Sequence, residues 1–213
     1  MIEEFYDIVQ TLFQQRYVLI NGNKYQICEV EFYLYDDYHA DVYTHRHPNQ
    51  LQGGKWHFHR ASKKYDSGYK GGTRKGLDLT LSQDNGHEYY SVLIRSIYNC
   101  NRKQIVTGPC NVVDHILQQY GVDSILQLQG NDTSLDANDN WREFILYQDD
   151  NLLSQQSRSN EYWPIYYGPR VGLNPDTDPY YANAYYRFVQ RYSDIKKDKK
   201  KLFPYPTTTT TCY

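Results

Sequence analysis

The feature that most constrains the fold is a hairpin signal near the start of the chain. Residues 17–20 and 25–35 are rich in β-branched and aromatic side chains, and Asn21-Gly22-Asn23 separates them. Asn-Gly reaches the positive φ angles of a tight turn at little steric cost, and runs of this composition favour strands. The chain is therefore expected to contain a sheet in which a long strand follows a short one.

The long strand alternates two kinds of side chain. Successive residues of a strand point to opposite faces, so the sequence opposes an apolar set to a polar set. The apolar set is Cys28, Val30, Phe32 and Leu34, and the polar set is Glu29, Glu31 and Tyr33. A half-exposed strand accounts for this pattern. So does a catalytic face on which a carboxylate acts as general base beside a ring that stacks on a planar substrate.

The other periodic segments complete an α+β arrangement. Apolar residues recur every three or four positions in 2–14, which predicts an amphipathic helix. Further helices are predicted at 111–120 and 124–128, and further strands at 55–59, 77–81, 89–97, 141–147 and 185–189. Strands that do not alternate regularly with helices favour a mostly antiparallel, curved or barrel-like sheet with flanking helices. We expect one compact domain over residues 1–192.

Composition argues against several classes of protein. The sequence has neither an apolar run of about 18 residues nor a basic and apolar leader, so we expect no membrane contact and an intracellular, nuclear or cytoplasmic location. The four cysteines lack CxxC spacing, which argues against a disulfide framework or a structural zinc site. Residues 193–213 combine a lysine run, two prolines and five consecutive threonines, which predicts a disordered tail.

Charge is distributed unevenly, although the net charge is only -2. Residues 53–75 carry seven cations and one carboxylate, whereas residues 122–150 carry seven carboxylates and one cation. The glycines of 71–76 let a backbone approach an anion, so Lys70, Arg74 and Lys75 are candidate phosphate-binding residues. A solvated loop accounts for the same composition equally well.

Six short motifs occur in an order that resembles the alkyladenine (3-methyladenine) DNA glycosylase family. They are EVEFYL at 29–34, HA at 39–40, GLDLTL at 76–81, VLIRSI at 92–97, GP at 108–109 and PRVGL at 169–173. The resemblance covers residues 17–192 and identifies the chain as a divergent member. It implies a compact domain that flips a damaged purine out of DNA and hydrolyses its N-glycosidic bond without a cofactor or metal.

The resemblance also implies roles for individual residues. Glu31 matches the glutamate that activates water, His39 a histidine that contacts the base, and Tyr33 a tyrosine that stacks on it. Asp78 stands where the family has an asparagine at the purine edge, Arg95 lies near the floor of the active site, and His59 falls near a second stacking tyrosine. The implied partner is DNA, bound by a monomer.

Other functions stay open at this stage. The same chemistry could act on nucleotides, RNA or ADP-ribose conjugates, and a non-catalytic nucleic-acid or nucleotide-binding module could keep the fold. Five of the seven histidines lie within 39–59, so a zinc or iron site is also conceivable there. We favour histidines scattered around a cleft, because strand-face pairs are a weak signal for metal.

Overall fold

A computed structural model describes residues 1–59, 75–83, 86–129, 135–136, 145–148 and 163–206. The helices are α1 (Ile2–Gln14), α2 (Pro109–Tyr120), α3 (Ile125–Gln129) and α4 (Pro179–Asn183). The strands are β1 (Arg16–Ile20), β2 (Asn23–Tyr35), β3 (Lys55–His59), β4 (Gly76–Thr80), β5 (Tyr89–Asn99), β6 (Gln104–Thr107), β7 (Leu135–Asp136), β8 (Ile145–Gln148), β9 (Tyr166–Gly168), β10 (Arg187–Val189) and β11 (Phe203–Pro204). Three 3-10 helices lie at Pro48–Leu51, Tyr192–Asp194 and Lys199–Lys201.

The strands form one antiparallel sheet, which confirms the predicted α+β class and the single domain. Its order is β11-β9-β10-β2-β5-β4-β3-β7, with β1 joining β2 to β8 and β6 at the end of β5. The described strands form a curved sheet whose order does not close on itself. No helix within the described ranges is long and apolar enough to cross a bilayer.

The predicted hairpin joins β1 to β2. Asn21 and Gly22 have φ angles of 46° and 72°, the positive values that an Asn-Gly hairpin turn requires. The turn pairs Ile20 with Asn23, and the ladder runs back to Tyr17 opposite Gln26. This register places the alternating part of β2 at the centre of the sheet, between β10 and β5.

The apolar face of the sheet forms the core with α1 and α2. Phe5 of α1 stacks on Phe32 of β2 with ring centroids 4.2 Å apart and ring planes 2° apart. Val112 and Ile116 of α2 belong to the same buried cluster. Both long helices therefore pack into the core on the apolar face, and loops are left to cover the polar face, where Glu31 lies.

The C-terminal segment packs on the domain, so the predicted disorder from residue 193 is wrong for residues 193–206. Ile195 and Leu202 are buried, and Tyr205 stacks on Tyr6 of α1 at 3.7 Å. Strand β11 pairs with β9. A few well-spaced apolar residues anchor a segment whose overall composition is polar. The threonines of 207–213 lie outside the described residues.

We expect Leu202→Ala to lower the free energy of unfolding by about 2 kcal/mol, because it empties a buried site. Urea denaturation measures this value. Lys200→Ala, two residues away and exposed, is the control and should change it by less than about 0.5 kcal/mol. Equal, small effects of the two variants would mean that the segment does not contribute to the fold.

Candidate functional site

One row of side chains crosses the polar face of the sheet. Strand register places Arg187 opposite Glu31, Glu31 opposite Leu93, Leu93 opposite Asp78 and Asp78 opposite His57. Directly opposed residues of an antiparallel pair lie on the same face. The row therefore brings three predicted or candidate functional side chains, those of Glu31, Asp78 and His57, onto one surface from three strands.

Glu31 is completely buried, and three donors hold its carboxylate. The Tyr33 hydroxyl donates to Oε2 at 3.1 Å, and Arg95 Nη1 donates to the same oxygen at 3.2 Å. The backbone N–H of Val171 donates to Oε1 at 2.7 Å. A carboxylate has about four acceptor positions, so these bonds leave Oε1 able to accept one more, for example from a water molecule.

Tyr33 and Arg95 are both fixed in the protonation state that donates to Glu31. Burial raises the pKa of the Tyr33 phenol, and the Glu31 carboxylate raises it further. Burial alone would lower the pKa of the Arg95 guanidinium, but Glu31 and Glu29 outweigh this effect and raise it. Both donors therefore keep their protons at neutral pH.

Glu29 is part of a buried ion cluster next to this carboxylate. Arg95 Nε donates to its Oε1 at 3.0 Å, and Arg187 Nε donates to the same oxygen at 2.9 Å. The Ser96 hydroxyl donates to Oε2. Glu29 and Glu31 therefore share Arg95, and the donors to Glu29 concentrate on its Oε1. Glu29 belongs to a buried ion cluster with two arginines, whereas Glu31 is held by one arginine, a phenol and a backbone N–H.

Arg170 holds the loop that covers Glu31. Its guanidinium pairs with buried Asp41 at 2.5 Å and donates to the carbonyl oxygens of Phe32 and Tyr181 at 3.0 and 2.9 Å. It also lies 4.5 Å from the centre of the Tyr33 ring. Arg170 thus occupies one face of the ring that the resemblance assigns to stacking on a base, and only the other face is left for a ligand.

His39 lies beside this loop, and its described ring contacts are with Tyr181 and Tyr186 and not with Glu31. Its ring packs edge-on against Tyr181 at 4.9 Å and beside Tyr186 at 5.6 Å, and it is buried. Its Nε2 has no hydrogen-bond partner within the described part of the chain. Tyr186 in turn lies under Arg170. Within the described residues, these contacts link His39 to Glu31 indirectly, through Tyr186, Arg170 and Tyr33.

Burial lowers the pKa of both His39 and His115, and this predicts a pH-dependent stability. Each imidazole stays neutral in the folded chain at a pH where the unfolded chain, with a pKa of about 6.5, already binds a proton. The unfolded state then takes up more protons, so the free energy of unfolding should fall as pH drops from about 7 towards 5.5.

Urea denaturation at several pH values checks this dependence. Replacing His115 with Gln should flatten the slope, whereas the control His87→Gln, at an exposed position, should leave it unchanged. A slope of the opposite sign, or an unchanged slope in the His115 variant, would contradict the burial of neutral imidazoles.

The remaining predicted histidines lie at the far end of the polar row. The rings of His47 and His57 stack at 4.4 Å, and His45 lies 6.1 Å from His47. Within the described residues no group of three or more His, Cys, Asp or Glu side chains could hold a metal ion. The backbone of His59 continues β3, and its side chain lies outside the described part of the structure.

Of the three predicted phosphate-binding residues, the structure describes Lys75. Lys75 is buried, and its ammonium group pairs with Asp114 of α2. The candidate phosphate-binding residue Lys75 therefore already pairs with a protein carboxylate, next to the start of β4. Lys70 and Arg74 lie outside the described residues.

A pocket of about 300 Å³ opens beside the buried cluster of Glu29 and Arg95. It is lined by Glu29, Arg95, Thr107, Gly108, Val171, Ile195, Lys196 and Lys197. Two of these residues, Arg95 and Val171, hold the Glu31 carboxylate. The volume lies at the lower end of the range for small-molecule sites. The pocket therefore brings a ligand of that size next to the groups that position Glu31.

Sequence reasoning missed several residues of this site. Val171 and Arg170 lie in the PRVGL segment, which was noted only as a motif of the resemblance, and nothing marked which atoms it supplies. No motif or periodic pattern in the sequence indicated that Asp41 or Arg187 belongs to the site. The one available clue was that a buried carboxylate on a central strand must have cationic or N–H partners from elsewhere in the chain.

Comparison with known proteins gives one clear relative. No family model matches the chain. The chain is 36% identical over 209 residues to a protein of Acanthamoeba polyphaga mimivirus with the name "Uncharacterized protein L759", and the match covers 93% of this chain and 91% of that protein. The chain belongs to the family of this mimivirus protein. That name states no activity, so the function of this mimivirus family has to be argued from the geometry of the site.

Proposed function

We propose that the protein is an N-glycosidic hydrolase that removes a damaged purine base from DNA. The observation that carries this proposal is the Glu31 carboxylate, buried and held by donors from three separate segments, Tyr33, Arg95 and Val171. These segments are three of the motifs on which the resemblance to alkyladenine DNA glycosylases rests. A purely structural strand carboxylate has no reason to gather its partners from those same motifs.

The proposed reaction uses the open acceptor position on Glu31 Oε1. A water molecule donates a hydrogen bond there, and its oxygen attacks C1′ of the sugar while its proton passes to Glu31. The bond from C1′ to the base nitrogen breaks, and its electron pair leaves with the base. Arg95 and Tyr33 fix the carboxylate so that this oxygen faces the attacking water, which is the function of a positioned general base.

The proposed substrate has to reach a carboxylate that is completely buried. A base within a duplex is stacked and cannot do so, which is why enzymes of this kind extrude the target nucleotide. The pocket is lined by Arg95 and Val171, two of the residues that hold Glu31, and by Glu29, but not by Glu31 itself. The proposal is that a nucleoside in this pocket brings its glycosidic bond towards the Glu31 carboxylate. The proposal requires no cofactor, and a monomer suffices for it.

A second substrate class, free purine nucleotides, is favoured by two observations. The chain has a net charge of -2, and the one described residue of the predicted phosphate-binding set pairs with a protein carboxylate. A small ligand needs fewer cationic contacts than a DNA duplex does. The reaction at Glu31 would be the same.

The test is a panel of substrates with identification of the released base by mass spectrometry. The panel contains duplex and single-stranded DNA with alkylated or deaminated purines, RNA with the same bases, and free nucleotides. Release from modified duplex DNA supports the proposal, and release from free nucleotides alone replaces it with the second class. Binding of DNA without release of any base would make the protein a non-catalytic binding module and overturn the proposal.

A further inference from the structure

The C-terminal lysine run lies beside the pocket instead of in a detached tail. Lys196 and Lys197 line the pocket together with Arg95 and Val171. Both lysines are exposed, and within the described residues no hydrogen bond or ion pair engages either ammonium group. Two free cations therefore stand at the mouth of a pocket whose inner wall contacts the groups that hold Glu31.

The fold holds this segment in place on both sides of the two lysines. Ile195 is buried before them, and Leu202 is buried after them. Arg187, which anchors Glu29 at the sheet, also donates from Nη2 to the carbonyl oxygen of Lys197 at 2.9 Å. The positions of the two lysines are thus tied to the same ion cluster that supports the candidate site.

The charge of the segment favours an anionic ligand. Residues 191–201 contain six cations and two carboxylates. Asp198 lies 3.9 Å from Lys201, and Asp194 lies 4.0 Å from Arg191, so both carboxylates are near other cations of the segment. Glu29, the one carboxylate that lines the pocket, is already bound by Arg95 and Arg187. The positive charge at the pocket mouth is therefore not cancelled by its surroundings.

We infer that Lys196 and Lys197 bind backbone phosphates of duplex DNA on either side of a nucleotide that enters the pocket. This inference rests on the proposed function, because a flipped nucleotide keeps its two flanking phosphates at the mouth of the pocket that receives it. The C-terminal segment then supplies the phosphate contacts that the buried Lys75 does not. Contacts of this kind fix the register of the protein on the duplex without reading its sequence.

The test measures binding of a fluorescein-labelled DNA duplex by anisotropy over a range of salt concentrations. The variant replaces Lys196 and Lys197 with Gln, and the control replaces Arg102 and Lys103, which are exposed in the turn between β5 and β6, with Gln. The control removes the same charge at two residues that do not line the pocket. We expect the slope of log K against log salt to become shallower by about two in the lysine variant, since each lost phosphate contact changes it by about 0.9.

Three outcomes would overturn the inference. They are an unchanged slope in the lysine variant, an equal change in the control, and tighter salt-dependent binding of RNA than of DNA by the wild-type protein. The failure of the proposed function is a different result, because it is the absence of base release. Salt-dependent DNA binding that is lost in the lysine variant would stand even then, since anisotropy does not depend on turnover.

Discussion

Arg187→Met should lower the free energy of unfolding by about 3 to 5 kcal/mol, the largest stability effect expected for this chain. Arg187 is completely buried and holds Glu29 with two nitrogen atoms, Nε at 2.9 Å and Nη2 at 2.7 Å. Methionine fills much of the same volume, but it leaves the buried Glu29 carboxylate with only Arg95 and Ser96 as donors among its described partners. Urea or thermal denaturation measures the loss.

Two further variants show whether the loss comes from charge or from packing. Adding Glu29→Gln to Arg187→Met removes the uncompensated carboxylate and should recover part of the stability. Arg102→Met, at an exposed turn, should change the free energy of unfolding by less than about 0.5 kcal/mol. A double variant that is less stable than Arg187→Met alone would show that the cluster is not held together by this pairing.

Glu31→Gln should reduce base release by about 100- to 10,000-fold while the chain still folds and binds DNA. The amide has nearly the shape of the carboxylate, and its oxygen can still accept from Arg95 and Tyr33. Its NH2 group then replaces the oxygen that accepts from Val171 and cannot take a proton from water. Single-turnover rates of base release, measured beside binding by anisotropy, separate the two effects.

Glu88→Gln is the matched control for that substitution. It makes the same chemical change just before β5, where the half-buried Glu88 side chain accepts from the backbone N–H of Gln83. It should release base at the wild-type rate. Equal turnover in the Glu31 and Glu88 variants would remove Glu31 from the mechanism, whatever the fold.

Local sequence patterns were sufficient for the β1–β2 hairpin and for the face that carries Glu31, whereas the short strands β6, β7, β9 and β11 were not predicted. Asn21-Gly22 determines the turn, and the period of two in β2 then separates Glu31 from Phe32 without knowledge of any other segment. Helix α1 follows from apolar spacing in the same way. These features depend on neighbours in the chain, which a sequence displays directly.

Two of the three partners of Glu31 could not be predicted from local patterns, whereas Tyr33 follows from the period of two in β2. Val171 is 140 residues away along the chain and Arg95 is 64 residues away, so their approach depends on which strands pair and on how one loop crosses the sheet. The buried Arg187 is separated from Glu29 by 158 residues. The position of the Arg170 guanidinium over the Tyr33 ring could not be predicted either, because that contact depends on the same crossing loop.

The C-terminal segment shows why an average composition misleads. Ile195, Leu202 and Tyr205 are few among lysines and prolines, but each lies where a preformed surface can bury or stack it. Composition measures how much apolar surface a segment offers and not whether the rest of the domain has a place for it. The lysines that suggested disorder are therefore held beside the pocket.

Cleavage of a glycosidic bond can be measured directly on a duplex with one modified purine. Excess protein is incubated with a duplex that contains a single modified purine, and the free base, the abasic strand and any cut strand are quantified together. Glycosidic hydrolysis predicts free base and abasic strand in equal amounts, with the phosphodiester backbone intact. An unchanged duplex across the whole set of modified purines, or a cut strand without free base, would contradict the account.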